Sequence, residues 1–119
     1  MESIKVLLID DEEEFISTLL ERLEFRGIAA KAFTTGAEAL DHLKREHFDA
    51  VVADLKMPGI DGMEIKRTVE REYPDTKVLL VTGHGGRESG DEEAEFDILM
   101  KPFGIEALLE WIRGAVGNP

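Results

Sequence analysis

Five apolar runs punctuate this chain, and amphipathic stretches separate them. The runs are "IKVLLI" (4–9), "AAKAF" (29–33), "DAVVAD" (49–54), "KVLLVT" (77–82) and "FDILM" (96–100). The stretches between and after them are Glu12–Phe25, Ala37–Glu46, Met63–Glu72 and Ile105–Val116. In the first, Phe15, Leu19, Leu20 and Leu23 fall on one face at helical spacing; in the last, Leu108, Leu109, Ile112 and Val116 do the same. Gly27 is placed to stop the first helix and Pro74 the third. Runs one, three and four lack the apolar–polar alternation of a half-exposed strand, which suits strands covered on both faces. Repeated β-α units with short connections imply right-handed crossovers, a parallel sheet and helices on both sides. The chain is therefore expected to form an α/β three-layer sandwich, one domain over residues 1–119.

Composition removes several classes of function. The formal net charge is −12. A domain that grips nucleic acid needs a basic face, so direct nucleic-acid binding is not expected, and an anionic membrane is an equally poor partner. The absence of cysteine excludes disulfides and thiolate metal sites. "MESIKVLLID" lacks the basic start and long apolar core of a signal peptide, and no stretch reaches the roughly 20 apolar residues of a membrane span. The expected setting is the cytoplasm. The densest acidic patches, "DDEEE" (10–14) and "ESGDEEAE" (88–95), read as solvated faces over Glu12–Glu14 and Glu88–Glu95. His42 and His47 read as surface residues.

Ligands of an open parallel sheet bind at the carboxyl ends of its strands. Run one ends on Asp10 and Asp11, run three on Asp54, run four on Thr82, and run five on Lys101 followed by Pro102. Each has an ordinary explanation alone: Asp11 as a helix cap, Thr82 as a strand residue, Lys101 as a solvated terminus. If runs one and three are neighbours, three carboxylates converge at one edge and repel one another. An oxygen-rich acidic cluster is what a hard divalent cation such as Mg²⁺ requires.

"LLIDDEEEF", "ADLKMPGIDGMEI", "LLVTGHG" and "MKPF", in that order, resemble the receiver domain of two-component response regulators over nearly the whole chain. The resemblance implies a flavodoxin-like fold with five parallel strands in the order 2-1-3-4-5, an order for which a receiver protein is itself a standard example. It makes Asp54 the phosphoacceptor, a carboxylate nucleophile that becomes an acyl phosphate. It makes Asp11, Asp54 and the backbone carbonyl of Lys56 ligands of Mg²⁺, with Asp10 acting through water. Lys101 and the Thr82 hydroxyl would contact the phosphoryl group, and the Lys101–Pro102 bond would be cis. Pro58, Gly59 and Gly62 would then form the tight loop that holds the Lys56 carbonyl and leads into the third helix.

The family's conformational switch pairs the threonine with a position three before the lysine, often aromatic; here it is Ile98. Lys56 and His84 stand where the family tunes phosphate lifetime. The interval from Thr82 to Lys101 is about three residues short of the family's, a little under one helical turn. It contains Gly83, Gly85, Gly86 and Gly90, each costing a helix roughly 1 kcal/mol relative to Ala. The expectation is a shortened fourth helix between runs four and five, an incomplete dimer face, and a monomer or weak dimer.

Two rivals compete with a phosphorylation-activated switch. A Mg²⁺-dependent phosphatase of the haloacid dehalogenase type would carry a second Asp two residues after its nucleophile; Lys56 stands there instead. A pseudo-receiver would use the fold as a binding module without phosphorylation, yet all five core positions are intact. The expected protein is thus no turnover enzyme. Its partners are a sensor histidine kinase or phosphotransfer protein, and a downstream protein or an output domain outside this sequence.

Overall fold

The computed structural model describes residues 3–83 and 97–117. Five strands form one sheet: β1 (Lys5–Ile9), β2 (Ala29–Phe33), β3 (Ala50–Asp54), β4 (Lys77–Thr82) and β5 (Asp97–Met100). All neighbouring pairs are parallel. Their order is β2-β1-β3-β4-β5, so the expected flavodoxin-like sandwich is the fold. Four helices appear among the described residues: α1 (Glu13–Phe25), α2 (Gly36–Leu43), α3 (Gly62–Glu72) and α4 (Ile105–Ala115). The expected short helix between β4 and β5, His84 and the Glu88–Glu95 patch lie outside the described residues.

The strand periodicity divides the core in two. Val6, Leu8, Val52, Leu79 and Val81 pack with Leu19, Leu23, Leu108 and Ile112 of α1 and α4. Leu7, Ile9, Val51, Ala53 and Leu80 pack on the other face with Leu43, Ile65 and Val69 of α2 and α3. Alternate residues of one strand thus feed opposite layers, which is why β3 is buried at every position and reads as an unbroken apolar run. Fully burying one such Leu or Val side chain contributes about 1.5–3 kcal/mol.

The helix ends follow local chemistry. After α1, Gly27 adopts φ +79°, a left-handed conformation that suits glycine. The amides of Gly27 and Ile28 donate to the carbonyls of Glu24 and Leu23, and the buried Leu23 and Ile28 complete this Schellman stop. Tyr73, at φ −134° and ψ 67°, has left the helical conformation ahead of Pro74, which disfavours it there, and so ends α3. The Thr35 side chain caps α2 by accepting from the Glu38 amide at 3.3 Å. α2 stops at Leu43, three residues before the expected Glu46, because the Lys44 and Arg45 amides fold back on Asp41 and His42 in tighter turns.

That early stop frees Glu46 to bind the sheet. Its carboxylate pairs with Lys5, with Lys31 at 2.8 Å and with His42 at 2.7 Å. His42 is therefore no plain surface residue: it is half-buried, 5.2 Å from the Phe33 ring and 5.8 Å from the Phe48 ring. His47 is exposed. Hydrogen bonds from Lys31, Lys5 and His42 hold the Glu46 carboxyl down to about 2, against an ordinary 4.5. A carboxylate pKa lowered by folding means the unfolded chain takes up the proton first, so its contribution exists above about pH 4.5 and is lost as pH falls toward 2. Glu46→Gln should remove that part of the acid dependence. Denaturant unfolding of both proteins between pH 2.5 and 6 checks it: their stability gap should narrow as pH falls, and a constant gap would refute the linkage.

Candidate functional site

The carboxyl ends of β1, β3 and β5 meet at one edge of the sheet. Asp10 follows β1, and its Oδ1 accepts from the Glu12 amide at 2.9 Å, turning the chain into α1. Asp54 ends β3, and its Oδ1 accepts from the Lys56 amide at 3.2 Å. Both aspartates are buried. Lys101 follows β5; its amide donates to the Thr82 carbonyl at 2.7 Å, which extends the β4–β5 ladder and holds the lysine backbone beside Thr82. Thr82 is buried at the end of β4. The Lys101–Pro102 bond is cis.

One ammonium serves several acids. Lys101 Nζ lies 2.7 Å from Asp10 Oδ2 and 3.7 Å from Asp54 Oδ2, and it also contacts Glu12 Oε1. It rests 4.4 Å from the centroid of the Phe15 ring, which is braced edge-on by Phe103. The charges are unbalanced. Burial pushes the Asp54 carboxyl above its ordinary range and the charges of Asp10 and Asp11 push the same way, while the Lys56 amide and the Lys101 ammonium oppose them. Burial disfavours a charged Lys101, but its bonds to Asp10 and Glu12 outweigh that and hold its pKa above an ordinary lysine's. Buried Asp10 Oδ2 has the lysine ion pair and no aligned hydrogen bond.

These features fit a divalent cation. Ligand oxygens of Asp10, Glu12 and Asp54 lie within 4.8 Å of one another. They are hard donors, they carry more negative charge than one lysine offsets, and one buried oxygen is incompletely satisfied. Asp11, which the family resemblance makes a ligand, is exposed and stands outside this trio, although its charge reaches Asp54. In the sequence Glu12 reads as part of a solvated run, yet the structure brings it into the acidic trio. Glu13 and Glu14 are indeed exposed, but Glu12 stands at the N-cap of α1 and reaches Lys101. The usable signal is its place two residues after the strand-ending acid. Ile98 is half-buried in β5 against the α2–α3 layer.

The loop after Asp54 is held from below. Gly59 takes φ +76°, and Asp61 caps α3 by accepting from the Glu64 amide at 3.0 Å. Gly62 lies so close to β3 that a Cβ there would press into the Asp54 carbonyl oxygen and stand 2.8 Å from Leu55 Cα. Glycine here is a matter of space, because its φ is not left-handed. Exposed Lys56 rides on this loop.

Comparison with known proteins agrees with this architecture. The response regulator receiver domain family matches residues 6–113, and the chain belongs to that family. It is 32% identical over 113 residues to the C4-dicarboxylate transport transcriptional regulatory protein DctD of Rhizobium meliloti, covering 92% of this chain and 25% of that protein. It is 32% identical over 114 residues to the response regulator MprA of Mycobacterium tuberculosis, covering 93% of this chain and 50% of that protein. The chain thus spans half or less of the length of these curated relatives. Among solved structures, a response regulator receiver domain protein from Clostridium thermocellum superposes with a TM-score of 0.84 at 30% identity, covering 95% of this chain and 94% of that one. The Vibrio cholerae chemotaxis protein CheY4 superposes with a TM-score of 0.85 at 27% identity, covering 96% and 99%. No helix among the described residues is long and apolar enough to cross a membrane.

Gly62→Ala tests the loop's support. Alanine favours a helix by roughly 1 kcal/mol over glycine, but overpacking costs typically 1–3 kcal/mol. The variant should be destabilised by up to about 2 kcal/mol in denaturant unfolding. A stabilised variant would mean that the contact with β3 relaxes freely.

Proposed function

We propose that this chain is a phosphorylation-activated signalling switch that accepts a phosphoryl group on Asp54 from a phosphohistidine of a sensor kinase or phosphotransfer protein. One observation carries the reading: Asp54 ends the central strand, buried and facing Asp10, with the Lys101 ammonium 3.7 Å from its Oδ2. In this reading an Asp54 carboxylate oxygen attacks phosphorus, an O–P bond forms, and the P–N bond to the donor imidazole breaks. Lys101 would follow the incoming phosphoryl oxygens as a point charge, and the Thr82 hydroxyl would donate to one of them. Asp10, Asp11, Asp54 and the Lys56 carbonyl would hold Mg²⁺, which when bound offsets charge on the transferring group. Lys56, Ile98 and His84 would tune lifetime and switching. The protein is a phosphoacceptor that also dephosphorylates itself, not a turnover enzyme. It is a single receiver domain acting in the cytoplasm, as a monomer or weak dimer, on a downstream protein or an output domain, without touching nucleic acid or membrane itself.

Two measurements test this reading. Asp54→Asn should abolish the mass gain of one phosphoryl group on treatment with a small phosphodonor and Mg²⁺, while the circular dichroism spectrum is kept. Full labelling of the variant would overturn the assignment, and absent labelling of the parent would favour a pseudo-receiver.

Metal dependence gives a second outcome. Mg²⁺ at millimolar concentration should raise the melting temperature of the parent, because it binds only the folded acidic cluster. Asp11→Ala should weaken Mg²⁺ binding and slow phosphorylation by orders of magnitude, since a hydrated Mg²⁺ is held by few protein oxygens. A melting curve indifferent to Mg²⁺ would count against the site.

A further inference from the structure

The geometry points to Glu12 as a positioning residue for Lys101: it draws the ammonium to the mouth of the pocket and so keeps Asp54 open to metal. This rests on the reading of Asp54 and Asp10 as the metal and phosphoryl site. The Lys101 side chain is 13% exposed and Asp10 is buried, whereas the Glu12 side chain is 63% exposed. Glu12 is therefore the ammonium's solvent-side partner. Nζ touches Glu12 and lies 2.7 Å from Asp10, but it stops 3.7 Å short of Asp54, the one carboxylate that must stay available.

The position is prepared on two sides. The Phe15 ring, one helical turn into α1, supports Nζ at 4.4 Å. The Glu12 backbone is pinned by its own bond to Asp10 Oδ1 at 2.9 Å, so the side chain starts from a fixed point beside the lysine. Glu13 and Glu14, in the same acidic run, make no such contact with Lys101 among the described residues. Without Glu12, the carboxylates left to the ammonium among the described residues are the buried Asp10 and Asp54. It would settle between them, in the space a divalent cation needs, and compete with that cation for both carboxylates. Glu12 thus gives Lys101 somewhere to stand when metal enters. It also stays close enough for the lysine to swing back to a group on Asp54.

A double-mutant cycle on Mg²⁺ affinity separates this role from a simple loss of negative charge. Calorimetric Mg²⁺ titration of the full 119-residue chain is run on the parent, Glu12→Gln, Lys101→Met and the double variant. Glu12→Gln should weaken Mg²⁺ about threefold in the parent, the scale of an ion pair with one exposed member. It should have little effect in the Lys101→Met background. An equal loss in both backgrounds would make Glu12 a charge acting directly on the metal and overturn the inference, as would no loss in either. If Lys101→Met fails to fold, the Lys101 ε-carbon resonance of metal-free Glu12→Gln supplies the second measurement. That resonance should move relative to the parent, and an unmoved one overturns the inference. Asp54 labelling of the parent is independent of the cycle, so a failure here is distinguishable from failure of the phosphoacceptor reading.

Discussion

One lysine ammonium shared by Asp10, Glu12 and Asp54 is the interaction on which the site depends. It draws together the ends of three strands and the start of a helix that are remote in sequence. Asp10 follows β1, Glu12 stands at the N-cap position of α1, Asp54 ends β3 and Lys101 follows β5. Its single charge cannot neutralise these acids, and burial adds to the strain on Asp54. A low-dielectric edge makes such an imbalance costly, and it makes the pocket responsive to any added cation or anion. The stability to tolerate it comes from elsewhere, chiefly from two apolar layers that sandwich fully buried β3.

Rigidity at the edge is as necessary as charge. Asp54 is set by the strand, and the strand end is set by what presses on it. The Leu55 amide donates to the Val81 carbonyl at 2.7 Å, and the Gly62 amide to the Leu55 carbonyl at 3.2 Å. The start of α2 leans on the same loop, for a Cβ on Gly36 would stand 2.8 Å from the Ile60 carbonyl oxygen. The rigid turn after Asp54 is therefore clamped from both helices on that face. On the phosphoacceptor reading, a nucleophile held this way keeps its orientation when the surrounding charge changes, as a site that works by position requires.

Much of this was legible in the sequence because it is carried by backbone periodicity. Apolar runs of strand length, the glycine after Phe25 and the proline after Tyr73 fix the elements to within a few residues. The doubly buried strands declare a parallel sheet, and the position of Asp10, Asp54, Thr82 and Lys101 at strand ends then follows. What was not legible depends on side-chain reach. The acids 10–14 are alike in composition, but only the turn set by Asp10 decides that Glu12 points back across the pocket while Asp11 faces solvent. His42 looked like an ordinary polar helix residue. Its ring is half-buried because α2 ends early and brings Glu46 under it, a consequence of two turn hydrogen bonds that no local pattern announces.

The pocket is joined to the β4–β5 edge of the sheet by a backbone hydrogen bond. The Lys101 amide is bonded to the Thr82 carbonyl, so the residue that answers charge at Asp54 is part of the same ladder as the end of β4. In β5, Ile98 pairs with Leu80 and Leu99 with Val81, and these two strand partners belong to opposite core layers. A force that moves Lys101 relative to Glu12 therefore acts on a strand whose alternate side chains press into both layers. Ile98 has no polar group with which to report such a change, so packing is the means open to it. On the phosphoacceptor reading, a movement of this edge strand by a fraction of an ångström would be felt as altered packing under α3 and α4 together, because close-packed layers shift between discrete arrangements rather than yield smoothly.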